Sequence, residues 1–460
     1  MVDPTSRTTP VAATPQKVIP FSAKKAKALS AAENQTATVF KAKYPHELDP
    51  QKTSKAWETA KIVIATLILP IGVLWTLKKL CDIAVFALAG HIAKSFGSKQ
   101  VAKEATSKDL SNNKYTEIDL QGGAEFAILP ALARFQKKLR AKTDMSDEFA
   151  TIDNPIFQHY QTQKKYFLST RGSQCSPLKM ETADQLSVLD GVIMWSKRED
   201  QEAYAKNQAL PENSKWVVLY QGNADCYESH LEKDNELESY RSAGYNVIMF
   251  NYPGVMESTG HPTSAKDLVL AGHAPVSFLQ THGIPARDIA LVGQSLGGAI
   301  ATQVAALTPD VNLANIRSFS SLAGFVKGQV HTAILQNRKL DTRGIIRMPK
   351  KADAAPSGKR RAAATTLAFL ASGISRSVLS SMKWELDSVA AWKKHKAGMK
   401  WLITAKEDEV ILPRARLARA LEGPLNNIKL DTMGHNTTIS QYKEKEWKEH
   451  MALLRQALEH

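Results

Sequence analysis

Three residues far apart in the chain have types and contexts that suit covalent chemistry: a serine at 295, an aspartate at 408 and a histidine at 435. A serine hydroxyl is a poor nucleophile near neutral pH. It needs a histidine to take its proton and an acid to orient that histidine. Ser295 lies in Gly293-Gln294-Ser295-Leu296-Gly297, preceded by the apolar run Ile289 to Val292 and followed by a small-residue stretch from Ala299. The apolar run predicts a strand buried on both faces, and the small residues predict a helix. The turn between them strains the serine backbone and leaves no room for side chains at 293 and 297. A serine at the tip of such a turn is a nucleophile elbow, and the helix starting at Leu296 points free N–H groups to its side. The competing reading is a plain glycine-rich turn between strand and helix.

His435 stands apart from histidines 230, 261, 273, 282 and 331 because it follows the last expected strand, in the tight loop LDTMGHN. The acid belongs at the end of the preceding strand. There the chain reads WLITAKEDEVILP, which nominates Asp408 and leaves Glu407 and Glu409 as alternatives. The order serine, acid, histidine is the one that accompanies this type of turn. An oxyanion would be met by the backbone N–H of Leu296 and one from Asn223 or Ala224, in the turn Gln221-Gly222-Asn223-Ala224 after WVVLY. Asn223 and Asp225 are also candidates to touch substrate. Cys81, Cys175 and Cys226 lie far apart and show neither a disulfide framework nor metal-ligand spacing, so a reducing compartment is expected. The chemistry calls for no metal and no organic cofactor.

These residues need a rigid frame. The stretch 177–196 predicts two short strands around a turn. Further strands are expected at Trp216 to Tyr220, Asn246 to Phe250, Ile289 onward, Ile316 to Ser320, Lys400 to Thr404 and Ile428 to Leu430. Helical segments fall between them, including Tyr227 to Ala243, and Glu444 to Leu458 predicts a terminal amphipathic helix. Alternating strands and helices predict an α/β fold, a mostly parallel sheet flanked by helices. Between Ser321 and Lys400 an insertion carries the basic linker Pro349 to Arg361 and an apolar helix over Thr366 to Leu379. It predicts a lid over 326–395, or else a solvated loop with a packing helix.

The remainder divides into a basic, disordered region 1–50, a hydrophobic helical segment 51–110, a helical linker or cap 111–174 with a helix over Ala124 to Lys142, and the hydrolytic domain 175–460. No signal peptide is visible, since the first apolar run starts at Ile62. Ile62 to Leu77 is uncharged, flanked by lysines and interrupted by Pro70; as a helix it spans roughly 24 Å, short of a bilayer's hydrocarbon core of about 30 Å. With the second run, Ile83 to Ala93, it predicts a shallow membrane hairpin rather than two crossings; a helix pair packed on the body is the alternative. The net charge is +15, and two segments account for it: sixteen Lys/Arg against eight Asp/Glu in 1–110, nine against two in 338–361. Such localised charge suits an anionic membrane surface, or simple solvation, better than a nucleic-acid groove. No nucleic-acid partner is expected.

The elbow, the GNA turn, the NYPGVMESTG segment (Asn251 to Gly260), the EDEV acid loop and the GHN histidine loop together resemble the α/β-hydrolase superfamily over residues 175–460. The whole chain, with its hydrophobic N-terminal stretch, is also similar to the chlamydial 43-kDa protein family and related lipase-like proteins of intracellular bacteria such as Legionella. The resemblance implies a serine hydrolase delivered to host membranes. The apolar N-terminal stretch and the lid-like insertion point to lipid or acyl esters as substrate and to membrane association through residues 62–93. The cysteines place the hydrolase domain in a reducing, cytosolic compartment. The resemblance also implies a secreted bacterial effector acting in a host cell. One departure is Gln221-Gly222, where many relatives have His-Gly. The alternatives are a peptidase or thioesterase on a soluble substrate, or an inactive membrane-tethered binding protein.

Overall fold

The structure, a computed structural model, describes residues 39–45, 48, 162, 164–169 and 174–459, apart from 224, 232–234, 261, 263, 337–356, 382 and 422–424. The apolar runs within 62–93, the helix expected over Ala124 to Lys142 and the basic linker up to residue 356 lie outside the described residues. Among the described residues, no helix is long and apolar enough to cross a membrane.

One mixed sheet carries the fold. Its strands are β1 (Val39–Lys41), β2 (Cys175–Glu181), β3 (Val188–Met194), β4 (Trp216–Tyr220), β5 (Asn246–Phe250), β6 (Ile289–Gln294), β7 (Asn312–Ile316), β8 (Lys400–Ala405) and β9 (Asn427–Leu430). They lie in the order β1-β2-β3-β5-β4-β6-β7-β8-β9. β2 and β3 form an antiparallel hairpin, and β3 runs antiparallel to β5. From β5 to β9 every pairing is parallel. The chain steps outward from β4 to β5 and then back across to β6, so the strand order reverses beside β4. A crevice at the carboxyl ends of the strands is the consequence.

Period-2 alternation sends the strand side chains to two apolar layers. On one face Val218, Ile248 and Leu291 pack with Leu268 and Phe278 of α3 (Ala265–Thr281) and Ile300 of α4 (Leu296–Leu307). On the other, Val217, Val247, Ala290 and Trp401 pack with Tyr240 of α2 (Asn235–Ser242) and with Trp447 and Leu454 of α10 (Glu444–Glu459). Helix α1 (Arg198–Asn207) follows the hairpin. The insertion between β7 and β8 contributes α5 (Leu322–Gln336), α6 (Gly358–Ser381) and α7 (Ser388–Lys394); two single-turn helices, α8 (Leu417–Ala420) and α9 (Ile439–Tyr442), flank β9. α5 and α6 pack on each other, and Arg360 of α6 donates to the Ile334 carbonyl.

Three expectations need correction. Within the region 1–50, expected to be disordered, Val39–Lys41 forms β1 and pairs in parallel with β2. The strand predicted over Ile316 to Ser320 is β7, Asn312–Ile316. Its two asparagines hid it, because an amide in a buried strand breaks the apolar pattern. Both amides are satisfied: Asn312 donates to the Arg287 and Ala457 carbonyls, and Asn315 to the Gly298 carbonyl and Thr302 Oγ1. The helix expected from Tyr227 is split, a 3-10 turn over Tyr227–His230 coming before α2.

Candidate active site

The elbow forms where β6 meets α4. Ser295 has φ 54° and ψ −119°, in a region costly for a residue with a side chain. The turn is held from both sides: Ser295 N–H donates to the Ile316 carbonyl at 2.9 Å, and Ser318 Oγ donates to the Ser295 carbonyl at 2.6 Å. The glycines are steric necessities. A Cβ at 293 would lie 2.4 Å from the Gly297 carbonyl oxygen, and one at 297 would lie 2.1 Å from that of Tyr220. The second contact shows what the small residues achieve: they let the end of β4 rest directly on the elbow. A Cβ built on Gly222 would sit 3.6 Å from Ser295 Cβ, so the Gln221–Asn223 turn lies beside the serine.

Asp408 and His435 come together after β8 and β9. His435 Nδ1 lies 2.9 Å from Asp408 Oδ2, and both residues are buried, at 4% and 1% exposure. The other carboxylate oxygen, Oδ1, accepts the N–H groups of Val410 (3.0 Å) and Ile411 (2.7 Å). Three donors therefore fix this carboxylate. Of its neighbours, Glu407 is exposed and Glu409 instead accepts the backbone N–H of His435 at 2.9 Å. Geometry thus selects Asp408 as the acid that meets the imidazole.

The histidine loop is tied to the elbow by groups that sequence reasoning missed. Gln294, one residue before the serine, donates its amide to the His435 carbonyl at 3.0 Å. Arg317, just past β7, donates from Nη1 to the Gly434 (3.0 Å) and Thr437 (2.8 Å) carbonyls, which bracket His435. Arg317 is buried and has φ 47°. Burial lowers its guanidinium's pKa, while Glu236, Asp408 and Glu409 act in the opposite sense. Nothing in the string NIRSFSS marks this arginine; only the fold brings it under the loop.

The turn after β4 leads into a buried polar network. Asp225 is occupied, accepting from Cys226 N–H and Ser229 Oγ and pairing with His230 Nε2 at 2.8 Å. Burial opposes its charge, but His230, Ser229 and the Cys226 N–H leave its carboxyl below the usual range. Its carboxylate is taken up by the 3-10 turn that follows it rather than standing open to substrate. Glu228 is fully buried and takes both its hydrogen bonds from Asn251 Nδ2 (3.0 and 2.8 Å). Burial and then the nearby Asp190 push its pKa up to about 7, against the pull of Asn251 and Lys164. Asp190 in turn pairs with Lys164 and Lys179 and accepts from Tyr227 OH. Gln221 is buried with no hydrogen-bond partner for either side-chain polar atom among the described residues.

Asn223 is exposed at the lip of the turn, and Leu296 N–H opens α4 beside Ser295; Ala224 lies outside the described residues. His273 and His450 are buried in helices, where burial lowers their pKa values to about 4 and about 3, and His282 lies against the Phe278 carbonyl. His331 is on α5 and His261 falls outside the described residues. Among the described residues no group of three or more His, Cys, Asp or Glu is placed to hold a metal ion.

The sheet order, the strained serine between β6 and α4, and the acid and histidine loops after β8 and β9 define the fold. It is the α/β-hydrolase fold. Residues 10–119 and 204–317, together just under half of the chain, match the family described as Chlamydia CHLPS protein (DUF818). The second stretch includes the β4 turn and the elbow. A phosphatidylserine lipase, ABHD16A of Macaca fascicularis, is 33% identical over 113 residues, which is 23% of this chain and 18% of the relative. The uncharacterized protein F37A4.1 of Caenorhabditis elegans is 32% identical over 95 residues, 21% of this chain and 19% of that one. The chain thus spans about a fifth of the length of these curated relatives. Among solved structures, the esterase Pf2001 of Pyrococcus furiosus aligns with a TM-score of 0.41 at 14% identity, over 63% of this chain and 95% of that one.

Proposed function

We propose that this α/β-hydrolase is an enzyme that cleaves carboxylic esters of lipids or other acyl groups through an acyl-enzyme on Ser295. The observation that carries the proposal is the buried pairing of His435 Nδ1 with Asp408 Oδ2, on a loop hydrogen-bonded to the residue before Ser295. With Nδ1–H donated to the carboxylate, Nε2 is the basic nitrogen. It takes the Ser295 proton as Oγ attacks the ester carbonyl. The oxyanion that forms is met by Leu296 N–H and by N–H groups of the Asn223–Ala224 turn. The imidazolium, stabilised by Asp408, then protonates the leaving alcohol, and the ester C–O bond breaks to leave acyl-Ser295. Water deprotonated by His435 attacks the acyl carbonyl, releases the acid and returns the proton to Ser295.

Gln221, buried in the turn beside the serine and without a side-chain partner among the described residues, offers a further polar contact for the substrate's ester group. A lipid substrate is supported by the named activity of the ABHD16A relative and by the apolar surface of α6, where Leu367, Leu370 and Ile374 are about half exposed. We place the protein at a membrane through residues 62–93, with its hydrolase domain in a reducing compartment where the buried Cys175 and Cys226 stay reduced. The resemblance to proteins of intracellular bacteria adds an effector role in a host cell. The test is hydrolysis of phospholipids, short acyl esters, thioesters and amides by the wild type and by Ser295→Ala. Ester turnover that vanishes in a folded Ser295→Ala protein is expected. Turnover confined to thioesters or amides, or equal turnover in both proteins, would contradict the proposal.

A further inference from the structure

A cavity of about 530 Å³ lies where α5, α6 and α7 of the insertion meet α8 and the segment before it. Lys327, Arg376, Lys393, Arg414 and Arg419 line it, and among its lining residues Asp387 is the sole acid. That carboxylate is already engaged: Oδ1 accepts the Ala390 N–H at the start of α7, and Oδ2 lies 3.6 Å from Arg376. The cavity therefore holds a surplus of four positive charges that its own side chains do not neutralise. His331, on the neighbouring turn of α5, responds to the same field. Burial, then Arg414, Arg419 and Lys327, lower its pKa. Concentrating like charges in one concavity is unfavourable unless an anion enters it.

We propose that this cavity binds the phosphate group of a phosphate-bearing ligand. Several cations converging from different elements suit the multiple oxygens of a phosphate better than a lone carboxylate. Its floor ties it to the elbow: Ser320 and Ser321 line the cavity, and two residues earlier Ser318 donates to the Ser295 carbonyl. One wall is α6, whose outer side exposes Leu367, Leu370 and Ile374, while its Phe369 ring lies 5.8 Å from Lys327 Nζ. A basic hollow on a helix whose outer side is apolar suits a phospholipid, its headgroup phosphate held in the hollow and its acyl ester hydrolysed at the serine. The acyl part of this assignment rests on the ester-hydrolase reading; the phosphate part does not.

Binding is measured by calorimetry on full-length Ser295→Ala protein, which prevents turnover, with dihexanoyl phosphatidate, inorganic phosphate and dihexanoylglycerol as probes. The comparison is the same protein carrying Arg376→Gln, Lys393→Gln and Arg419→Gln, three exposed side chains, with an unchanged thermal melt required as the control for folding. Phosphatidate should bind at least tenfold more weakly to the substituted protein, with dihexanoylglycerol unaffected. Phosphatidate much tighter than inorganic phosphate assigns the site to a lipid headgroup; equal affinities assign it to a small phosphate ester. Phosphatidate binding that is absent, or unchanged by the three substitutions, overturns the site. Dihexanoylglycerol hydrolysis by protein with Ser295 intact is scored separately, so failure of the hydrolase reading leaves the binding result interpretable.

Discussion

Arg317→Met tests how the histidine loop is held. The guanidinium gives two hydrogen bonds to the carbonyls that bracket His435, at 3.0 and 2.8 Å, from a side chain that is almost wholly buried. A hydrogen bond from a charged donor contributes about 1.5–3 kcal/mol, and a buried carbonyl left without a donor costs about 1–3 kcal/mol. Methionine recovers part of the packing and removes the expense of burying the cation, so the net loss of stability should be about 2–4 kcal/mol. The larger effect is expected on turnover. Freed of its anchor, the loop lets the imidazole drift, and a displacement of about 1 Å at a catalytic group can cost on the order of 100-fold. A soluble acyl ester assayed at saturating concentration should show kcat reduced by about that factor, with KM within a few-fold of wild type. Urea denaturation measured in parallel separates unfolding from misplacement. A folded Arg317→Met protein with wild-type kcat would refute the positioning role.

Gly297→Ala should lower stability by about 1–3 kcal/mol or more in chemical denaturation and depress kcat, since the new methyl would meet the Tyr220 and Gln221 carbonyls at 2.1 and 2.4 Å and displace the turn beside Ser295. Glu228 has a folded pKa of about 7, above its usual 4.5, so its stabilising contribution is complete at low pH and is lost as pH rises through 7. Between about pH 4.5 and 7.5 the wild type should lose roughly 3 kcal/mol relative to Glu228→Gln; parallel stability curves for the two proteins would contradict this. Asp408→Asn should keep the fold yet lower kcat by about four orders of magnitude, because the amide favours the wrong imidazole tautomer. A ten-fold effect or less in steady-state assays would argue against an orienting role.

The parts of the fold set by continuous apolar runs were legible in the sequence. WVVLY and NVIMF are β4 and β5 residue for residue, and the run into Ser295 is β6. β7 was misplaced because Asn312 and Asn315 carry amides whose partners come from distant segments, information that no local pattern holds. The glycines at 293 and 297 announced a tight turn, but not that the end of β4 would be its contact. Asp408 was preferred over Glu407 and Glu409 by position along the chain, and three hydrogen bonds to its carboxylate give the physical reason. Arg317 and the cationic cavity were invisible for one shared reason. Arg317 acts across more than a hundred residues, and the cavity's five cations come from four separate segments that only the fold collects. Charge counted along the chain drew attention to 1–110 and 338–361 instead.

The central claim is that His435, oriented by Asp408, activates Ser295. Intact-mass and peptide mapping after brief exposure to a fluorophosphonate ester measure it most directly. One phosphonyl adduct per chain, on Ser295, formed at least a thousandfold more slowly in a folded His435→Ala protein, is the predicted result. An adduct on another residue, or equal labelling rates with and without the imidazole, would contradict it.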